Sequence, residues 1–138
     1  MMFKCHCRDC QRVTGGGFVP GLLVPTSAFR LTKGELRYHF TPSLAGGNHK
    51  RGFCAECGSR LTGGQSDQRP DQFIGLTAGS LDDPGWFRPQ MDFFVSDAQP
   101  WDQMDAAIPK YENYPPPPKD QAGPAIQAGP ATQAGPAS

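Results

Sequence analysis

Five cysteines in two groups are the strongest constraint on how this 138-residue chain folds. Cys5, Cys7 and Cys10 lie close together near the N-terminus, and Cys54 and Cys57 form a second group further along. An odd number of cysteines at such short spacings is a poor disulfide framework but a good set of metal ligands. Cysteines that serve only as small buried apolar residues are not expected to cluster in this way. The grouping therefore predicts a fold built around bound metal.

The composition gives no sign of a nucleic-acid or membrane partner. The 13 Lys and Arg residues balance the 13 Asp and Glu residues, so no net field draws the chain toward a polyanion. No apolar run is long enough to span a bilayer, and the segment Met1–Lys4 lacks the features of a signal peptide. We therefore expect a cytoplasmic protein, in which thiols stay reduced and available to a metal.

Short strand-like segments dominate residues 1–112. Proline lacks the N–H that a strand ladder needs, so Pro20 favours an edge or a bulge in its segment. Turns rich in glycine and proline separate the segments, and no stretch of ten or more residues has a helical period. The pattern predicts a mostly β fold of one domain. The segments with strand character are Phe18–Val24, Leu36–Phe40, Phe73–Gly79 and Met91–Val95.

The C-terminal part of the chain has a different composition. Four consecutive prolines, Pro115 to Pro118, are followed by three copies of a Gln-Ala-Gly-Pro-Ala-x repeat that begins at Gln121. Such residues bury too little apolar surface to offset the entropy of ordering the chain. We expect residues 113–138 to form a disordered tail.

The segment Cys5–Cys10 is the most informative part of the sequence about function. In an extended backbone Cys5 and Cys7 point to one face, whereas His6 points to the other. A turn through Arg8 and Asp9 then brings Cys10 back to the same point. Three thiolates hold one tetrahedral zinc and leave its fourth position open to a small molecule, which is the arrangement that distinguishes catalytic from structural zinc sites.

A closed site is the alternative. Cys7, Cys10, Cys54 and Cys57 also form two C-x2-C pairs, which together would coordinate one structural zinc. The 43 residues between the pairs exceed the usual zinc-ribbon spacing of about 15–20, and this pairing leaves Cys5 unexplained. A redox C-x-x-C motif is less consistent with the sequence, because no βαβ pattern follows Cys10.

The histidines receive no role from the sequence. Strand parity turns His6 away from the neighbouring cysteines. His39 falls on the polar face of a presumed strand, and His49 lies beside Lys50 and Arg51. We expect His39 and His49 to be surface residues.

Several segments resemble the glutathione-dependent formaldehyde-activating enzymes, a family whose relatives include centromere protein V. The most specific ones are Cys5–Cys10, with its C-H-C-x-x-C spacing, and Phe53–Ser59, with its F-C-x-x-C-G-S spacing. The segments Gly16–Pro20 and Thr77–Pro84 and the Pro100-Trp101 pair support them. The resemblance extends from Cys5 to Tyr111 and implies a β-tent (Mss4-like) fold with two zinc sites.

The resemblance also implies which cysteines hold each zinc. In the family, the residues that match Cys5, Cys7 and Cys10 hold the catalytic zinc. The residues that match Cys54 and Cys57 hold a structural zinc together with an earlier Cys-x-Cys-Gly motif. No cysteine precedes Cys5, so we expect an N-terminally truncated chain that lacks half of the second site and binds one zinc or fewer.

The implied activity is a carbon–sulfur lyase reaction of the S-(hydroxymethyl)glutathione synthase type, in which glutathione or another thiol adds to formaldehyde or a related aldehyde. Arginine and lysine side chains recognise carboxylates, so the candidates for contact with glutathione are Arg8, Arg12, Lys50 and Arg51. The sequence nominates no general acid. Because thiols add to formaldehyde unaided, the alternatives are a non-catalytic carrier that binds zinc and thiol, and a purely structural zinc module.

Overall fold

Seven strands form one sheet in the computed structural model, which describes residues 1–116. The predicted mostly β fold is confirmed. The predicted tail comprises residues 113–138, and its part from residue 117 onward lies outside the described residues. The elements in chain order are β1 (Met2–Cys5), α1 (Arg8–Thr14), β2 (Val19–Pro25), β3 (Leu36–Pro42), β4 (Asn48–Cys54), β5 (Arg60–Ser66), β6 (Phe73–Thr77) and β7 (Asp92–Phe93).

The order of the strands across the sheet, β3-β4-β5-β6-β2-β1-β7, differs from their order along the chain. Neighbouring strands are antiparallel, except that β1 and β7 run parallel. Strand β1 therefore lies between two partners, and Cys5 is paired with Val19 of β2 on one side and with Phe93 of β7 on the other. Contacts from distant parts of the chain thus hold the first cysteine inside the sheet.

Each of the four predicted strand segments contains a strand, but two details differ. Strand β2 is an interior strand, so the prediction that Pro20 marks an edge is wrong for the strand as a whole. Strand β2 pairs with β6 only from Gly21 onward. Pro20 is therefore paired with a residue of β1 but with none of β6. Strand β3 is at the edge of the sheet and mostly exposed, including Phe40, where a half-buried strand was expected.

Helix α1 is short and capped at both ends. The Cys7 sulfur accepts a hydrogen bond from the Cys10 N–H at the first turn. At the other end Gly15 adopts a left-handed conformation, with φ of 70°, and its N–H donates to the Gln11 carbonyl. Within residues 1–116, no helix has both the length and the apolar character that crossing a bilayer requires.

The main apolar cluster lies where β1, α1, β2 and β7 meet. Its buried members include Val19, Phe93 and Phe94, and two of the cysteines, Cys5 and Cys10, belong to the same cluster. The ring of Phe3 stacks on that of Phe93, with 4.7 Å between the ring centroids. Two of the three N-terminal thiols are therefore part of the hydrophobic core.

Close contact between β5 and β6 depends on glycine. Gly63 and Gly75 are paired across these strands, and a Cβ at Gly75 would lie 2.6 Å from the Gly63 carbonyl oxygen. Because the obstacle is backbone, we expect Gly75→Ala to lower the free energy of unfolding by about 1–3 kcal/mol. Gly79→Ala is the matched control, because its added carbon would meet nothing within 4 Å. Urea unfolding measures both variants, and equal losses would contradict the steric argument.

Candidate metal centre

The side chains of Cys5, Cys7 and Cys10 converge on one point. Their sulfur atoms all lie within 4.8 Å of one another, and within residues 1–116 this is the only group of three or more Cys, His, Asp or Glu side chains that is this close. Cys5 ends β1, Cys7 caps α1 and Cys10 lies in its first turn. The turn predicted at Arg8 and Asp9 is therefore the start of a helix.

The three thiols compete for protons. Hydrogen bonds with the Cys5 and Cys7 thiols, aided by the charge of Arg51, lower the pKa of Cys10 to about 3. The hydrogen bond with Cys10, together with burial, raises the pKa of both Cys5 and Cys7. By itself the cluster therefore favours one thiolate stabilised by two neutral thiols.

A soft divalent cation fits this set of donors. Tetrahedral zinc with Zn–S bonds of about 2.3 Å separates its sulfur ligands by about 3.8 Å, and three sulfurs within 4.8 Å reach that geometry with small shifts. A cation that replaces the thiol protons also ends the competition among the three groups. The cluster can hold a metal ion through three sulfurs, which would leave one tetrahedral position that these cysteines do not fill.

Arg51 connects β4 to the sulfur cluster. Its guanidinium is buried, and it donates from Nε to Thr41 Oγ1 at 2.7 Å and from Nη1 to Cys10 Sγ at 3.7 Å. Burial is the largest single influence and acts to lower the pKa of Arg51, but the charge and hydrogen bond of Cys10 and the charges of Cys7 and Asp9 together leave the pKa raised. In the structure Arg51 is therefore engaged with a cysteine rather than free at the surface for a substrate carboxylate.

We expect Arg51→Met to weaken zinc binding about 10- to 100-fold, as loss of a group that hydrogen-bonds to a metal ligand usually does. The matched control is Lys50→Met, because the ammonium of Lys50 lies 4.0 Å from the centre of the Tyr38 ring rather than on the cysteines. A competition titration against a chromophoric chelator gives both affinities. If the two variants lose affinity equally, the effect comes from net charge and not from the bond to Cys10.

His49 and Tyr114 border a groove of about 200 Å³ that none of the cysteines lines. The charge of Cys7 acts on His49, and the charges of all three cysteines act on Tyr114. Burial lowers the pKa of His49 and raises the pKa of Tyr114 to about 12, so both are neutral near pH 7. The Tyr114 hydroxyl lies 2.9 Å from His49 Nε2, and the two groups share a hydrogen bond.

Arg60 reaches the same region from β5. Its Nε donates to the Thr62 carbonyl at 2.7 Å, and its guanidinium lies over Gly63, where a side chain would block it. Burial and the nearby charge of Arg51 lower the pKa of Arg60 to about 10, and the charges of Cys10 and Cys7 act in the opposite sense. Arg60 therefore remains a cation near pH 7.

His6 lies behind the cysteines and holds the segment that carries them. Its ring is fully buried, with Nδ1 2.6 Å from Asp102 Oδ2 and Nε2 2.8 Å from Asp92 Oδ1. The ammonium groups of Lys4 and Lys110 lie 3.4 and 3.2 Å from the Asp92 carboxylate. Because His6 stands between Cys5 and Cys7, this network fixes the backbone from which both sulfurs project.

Apart from Arg51, which was a candidate contact for glutathione, the sequence analysis assigned no role to these surrounding groups. For Asp92 there was one local signal, a lone carboxylate in the apolar segment Met91–Val95. His49 is half-buried rather than at the surface, whereas His39 is exposed as expected. No local pattern marks Asp102 or Tyr114 as neighbours of the cysteines.

Cys54 and Cys57 lie outside this cluster, at the hairpin between β4 and β5. Gly58, with φ of 74°, turns the chain there, and its N–H donates to the Cys54 carbonyl at 2.9 Å. The Cys57 thiol is exposed and its sulfur lies 3.1 Å from Ser59 Oγ, and hydrogen bonds from Ser59 to the thiolate lower the pKa of Cys57. In the structure Cys5, rather than this pair, completes the group with Cys7 and Cys10. A metal at Cys54 and Cys57 remains a prediction.

A mostly β domain that brings three sulfurs within 4.8 Å of one another belongs to the class of small β proteins with a metal-capable thiol centre. The family model described as glutathione-dependent formaldehyde-activating enzyme matches residues 1–97, and the chain belongs to this family. The match includes all five cysteines, but it ends before Asp102 and Tyr114. A search of curated proteins found no match to the chain.

Proposed function

We propose that the chain binds zinc through Cys5, Cys7 and Cys10 and catalyses the addition of glutathione to formaldehyde, a reaction of the carbon–sulfur lyase class. The observation that carries the proposal is the convergence of three sulfurs within 4.8 Å. Membership of a family described by glutathione-dependent formaldehyde activation supports the choice of substrates. The product is S-(hydroxymethyl)glutathione.

The chemistry needs a thiolate and an acceptor for the thiol proton. A carbon–sulfur bond forms at the carbonyl carbon, the carbon–oxygen π bond breaks, and the proton that leaves sulfur ends on the oxygen. When bound, zinc supplies the acidity that makes a thiol nucleophilic at neutral pH. Cys5, Cys7 and Cys10 hold the cation from one side, and Arg51 offsets the negative charge of Cys10.

Two of the predicted glutathione contacts have a suitable setting. Arg8 and Arg12 border a shallow basin of about 190 Å³ together with Trp101. Arg8 directly follows Cys7 in the chain, and both arginines belong to α1, the helix that also carries Cys10. We propose that Arg8 and Arg12 receive a glutathione carboxylate there.

Two further proposals concern the setting of the protein and its second pair of cysteines. All five cysteines are free thiols, which supports a protein that works in a reducing compartment such as the cytoplasm. The hairpin that carries Cys54 and Cys57 presents two neighbouring sulfurs, which suits half of a second, structural zinc site.

The proposed activity is tested by the rate at which S-(hydroxymethyl)glutathione forms when glutathione and formaldehyde are mixed, followed by NMR. We expect the protein to raise this rate, a chelator to remove the increase, and added zinc to restore it. An unchanged rate together with a glutathione-dependent change in the spectrum of the cobalt-substituted protein would identify a carrier. Tight metal binding without any response to glutathione would identify a structural module.

A further inference from the structure

The hairpin between β4 and β5 carries the two cysteines that the metal centre does not use. Cys54 ends β4, and residues 55–59 form an exposed tip. The Gly58 N–H donates to the Cys54 carbonyl at 2.9 Å, so residues 54–58 make one turn of helical type. The first and fourth residues of such a turn lie on one side, with about 5–6 Å between their Cβ atoms. Cys54 and Cys57 therefore project together from the hairpin.

The metal centre contains a turn of the same kind. There the Gln11 N–H donates to the Cys7 carbonyl at 3.0 Å, and the sulfurs of Cys7 and Cys10 lie within 4.8 Å of each other. Cys54 and Cys57 repeat both the C-x-x-C spacing and the backbone hydrogen bond. The hairpin can therefore offer two sulfurs to one metal ion, as the first turn of α1 does.

Two sulfurs fill only half of a structural zinc site, which has four tetrahedral ligands. In the cluster, Cys5 adds a third sulfur from β1. Within residues 1–116, no third Cys, His, Asp or Glu side chain joins Cys54 and Cys57 in this way. Residues 117–138 contain neither cysteine nor histidine. A complete site at the hairpin therefore needs donors from outside these residues.

We propose that a second copy of the chain supplies these donors, so that one zinc ion joins the Cys54–Cys57 pairs of two molecules. A dimer with twofold symmetry brings the same patch of each subunit together, which doubles two thiolates to the four that structural zinc prefers. The inference rests on the proposed structural half-site at the hairpin. It does not depend on the proposed activity, because it needs neither glutathione nor formaldehyde.

The tip of the hairpin allows two molecules to approach closely. The residues that flank the exposed Cys57 thiol include Ala55, Gly58 and Ser59, which are small and exposed. Glu56 is the one charged residue of the tip. A shared zinc with four thiolates carries a net negative charge, so the two Glu56 carboxylates oppose association. Glu56→Gln is therefore expected to strengthen the dimer by up to about fivefold.

The first measurement is the mass of the full chain in solution, determined by sedimentation equilibrium with zinc and with a chelator. We expect dimers in zinc and monomers in the chelator. Cys57→Ser should stay monomeric in zinc, whereas Cys7→Ser, which removes a ligand of the three-sulfur cluster, should still dimerise. A reductant is present throughout, because an exposed thiol such as Cys57 also forms disulfides between molecules. Circular dichroism confirms that each variant is folded.

The second measurement is X-ray absorption at the zinc edge of the Cys7→Ser variant, in which the cluster no longer competes well for metal. About one zinc is added for every two chains, the ratio that a shared site requires. We expect four sulfur neighbours at about 2.3 Å from the metal. A pair of cysteines that binds zinc within a single chain would instead show two sulfurs and two lighter atoms.

Three results would overturn the shared site. A wild-type chain that stays monomeric in excess zinc refutes it, and so does a zinc with only two sulfur neighbours. A dimer that persists in the chelator or in Cys57→Ser also refutes it, because another surface, such as the outer edge of β3, then joins the two copies. The proposed activity is judged separately, by the rate at which S-(hydroxymethyl)glutathione forms, so either proposal can fail while the other stands.

Discussion

Replacement of Cys7 by serine is expected to weaken zinc binding by at least a hundredfold and to abolish the zinc-dependent rate. Loss of a group that merely orients a ligand costs about 10- to 100-fold in metal affinity, and loss of a ligand costs more. A serine hydroxyl is a far poorer zinc donor than a thiolate, because it does not ionise near neutral pH. Cys7 also caps α1 through the Cys10 N–H, so the change disturbs the position of Cys10 as well.

Cys57→Ser is the matched control for this variant. Cys57 is an exposed thiol on the β4–β5 hairpin and lies outside the three-sulfur cluster. Zinc affinity at the cluster should therefore stay within about threefold of wild type, a change of less than 1 kcal/mol. Metal analysis and the thiolate-to-cobalt absorption of the substituted protein measure both variants. If Cys57→Ser loses the metal as completely as Cys7→Ser, the closed four-cysteine arrangement is correct and the open centre is wrong.

Replacement of His6 by alanine is expected to lower the free energy of unfolding by about 3–5 kcal/mol, the usual cost of truncating a large buried ring to alanine. His6 contacts Asp92 and Asp102 at 2.8 and 2.6 Å, and its own ring is fully buried. Without the imidazole, the two carboxylates lose this shared partner, and a cavity opens behind Cys5 and Cys7. The loss should appear with and without bound zinc.

Lys110→Met is the control for the His6 substitution. Lys110 contacts the same carboxylate, Asp92, at 3.2 Å, but its side chain is 30% exposed, whereas that of His6 is fully buried. Solvent screens such a pair, so we expect its loss to cost about 1 kcal/mol or less. Urea unfolding of the reduced protein measures both variants. If both variants lose the same free energy of unfolding, the buried imidazole contributes no more to the network than the partly exposed ammonium does.

The same network predicts a pH dependence of stability. Burial acts to raise the pKa of Asp92, but the hydrogen bonds from His6 and Lys110 and the charge of Lys4 leave it lowered. An aspartate with a lowered folded-state pKa stabilises the fold above its usual value of about 3.9, and this contribution is lost as the pH falls through the lowered value. Stability measured between pH 5 and pH 2 should therefore fall less in Asp92→Asn than in the wild type.

The mostly β fold was predictable because four strand segments have clear apolar patterns and glycine- or proline-rich boundaries. The structure adds β1, β4 and β5, which the local pattern did not indicate. Strand β4 begins with the polar residues Asn48–Arg51, and β5 contains Gly63 and Gly64. Such segments have weak intrinsic strand preference, and they are strands because neighbouring strands pair with them.

The sequence by itself determined to which family the chain belongs, and it favoured convergence of Cys5, Cys7 and Cys10 over the closed four-cysteine arrangement without excluding the latter. Cys5, Cys7 and Cys10 are so close along the chain that strand parity and one helical turn leave them little freedom to point elsewhere. Only the tertiary structure decided what surrounds them. Arg51 is 41 residues from Cys10, and Asp92 and Asp102 are 86 and 96 residues from His6. Those contacts form because strands that are distant along the chain pair in the sheet. Pairings over such separations produce no local sequence pattern from which the contacts could be predicted.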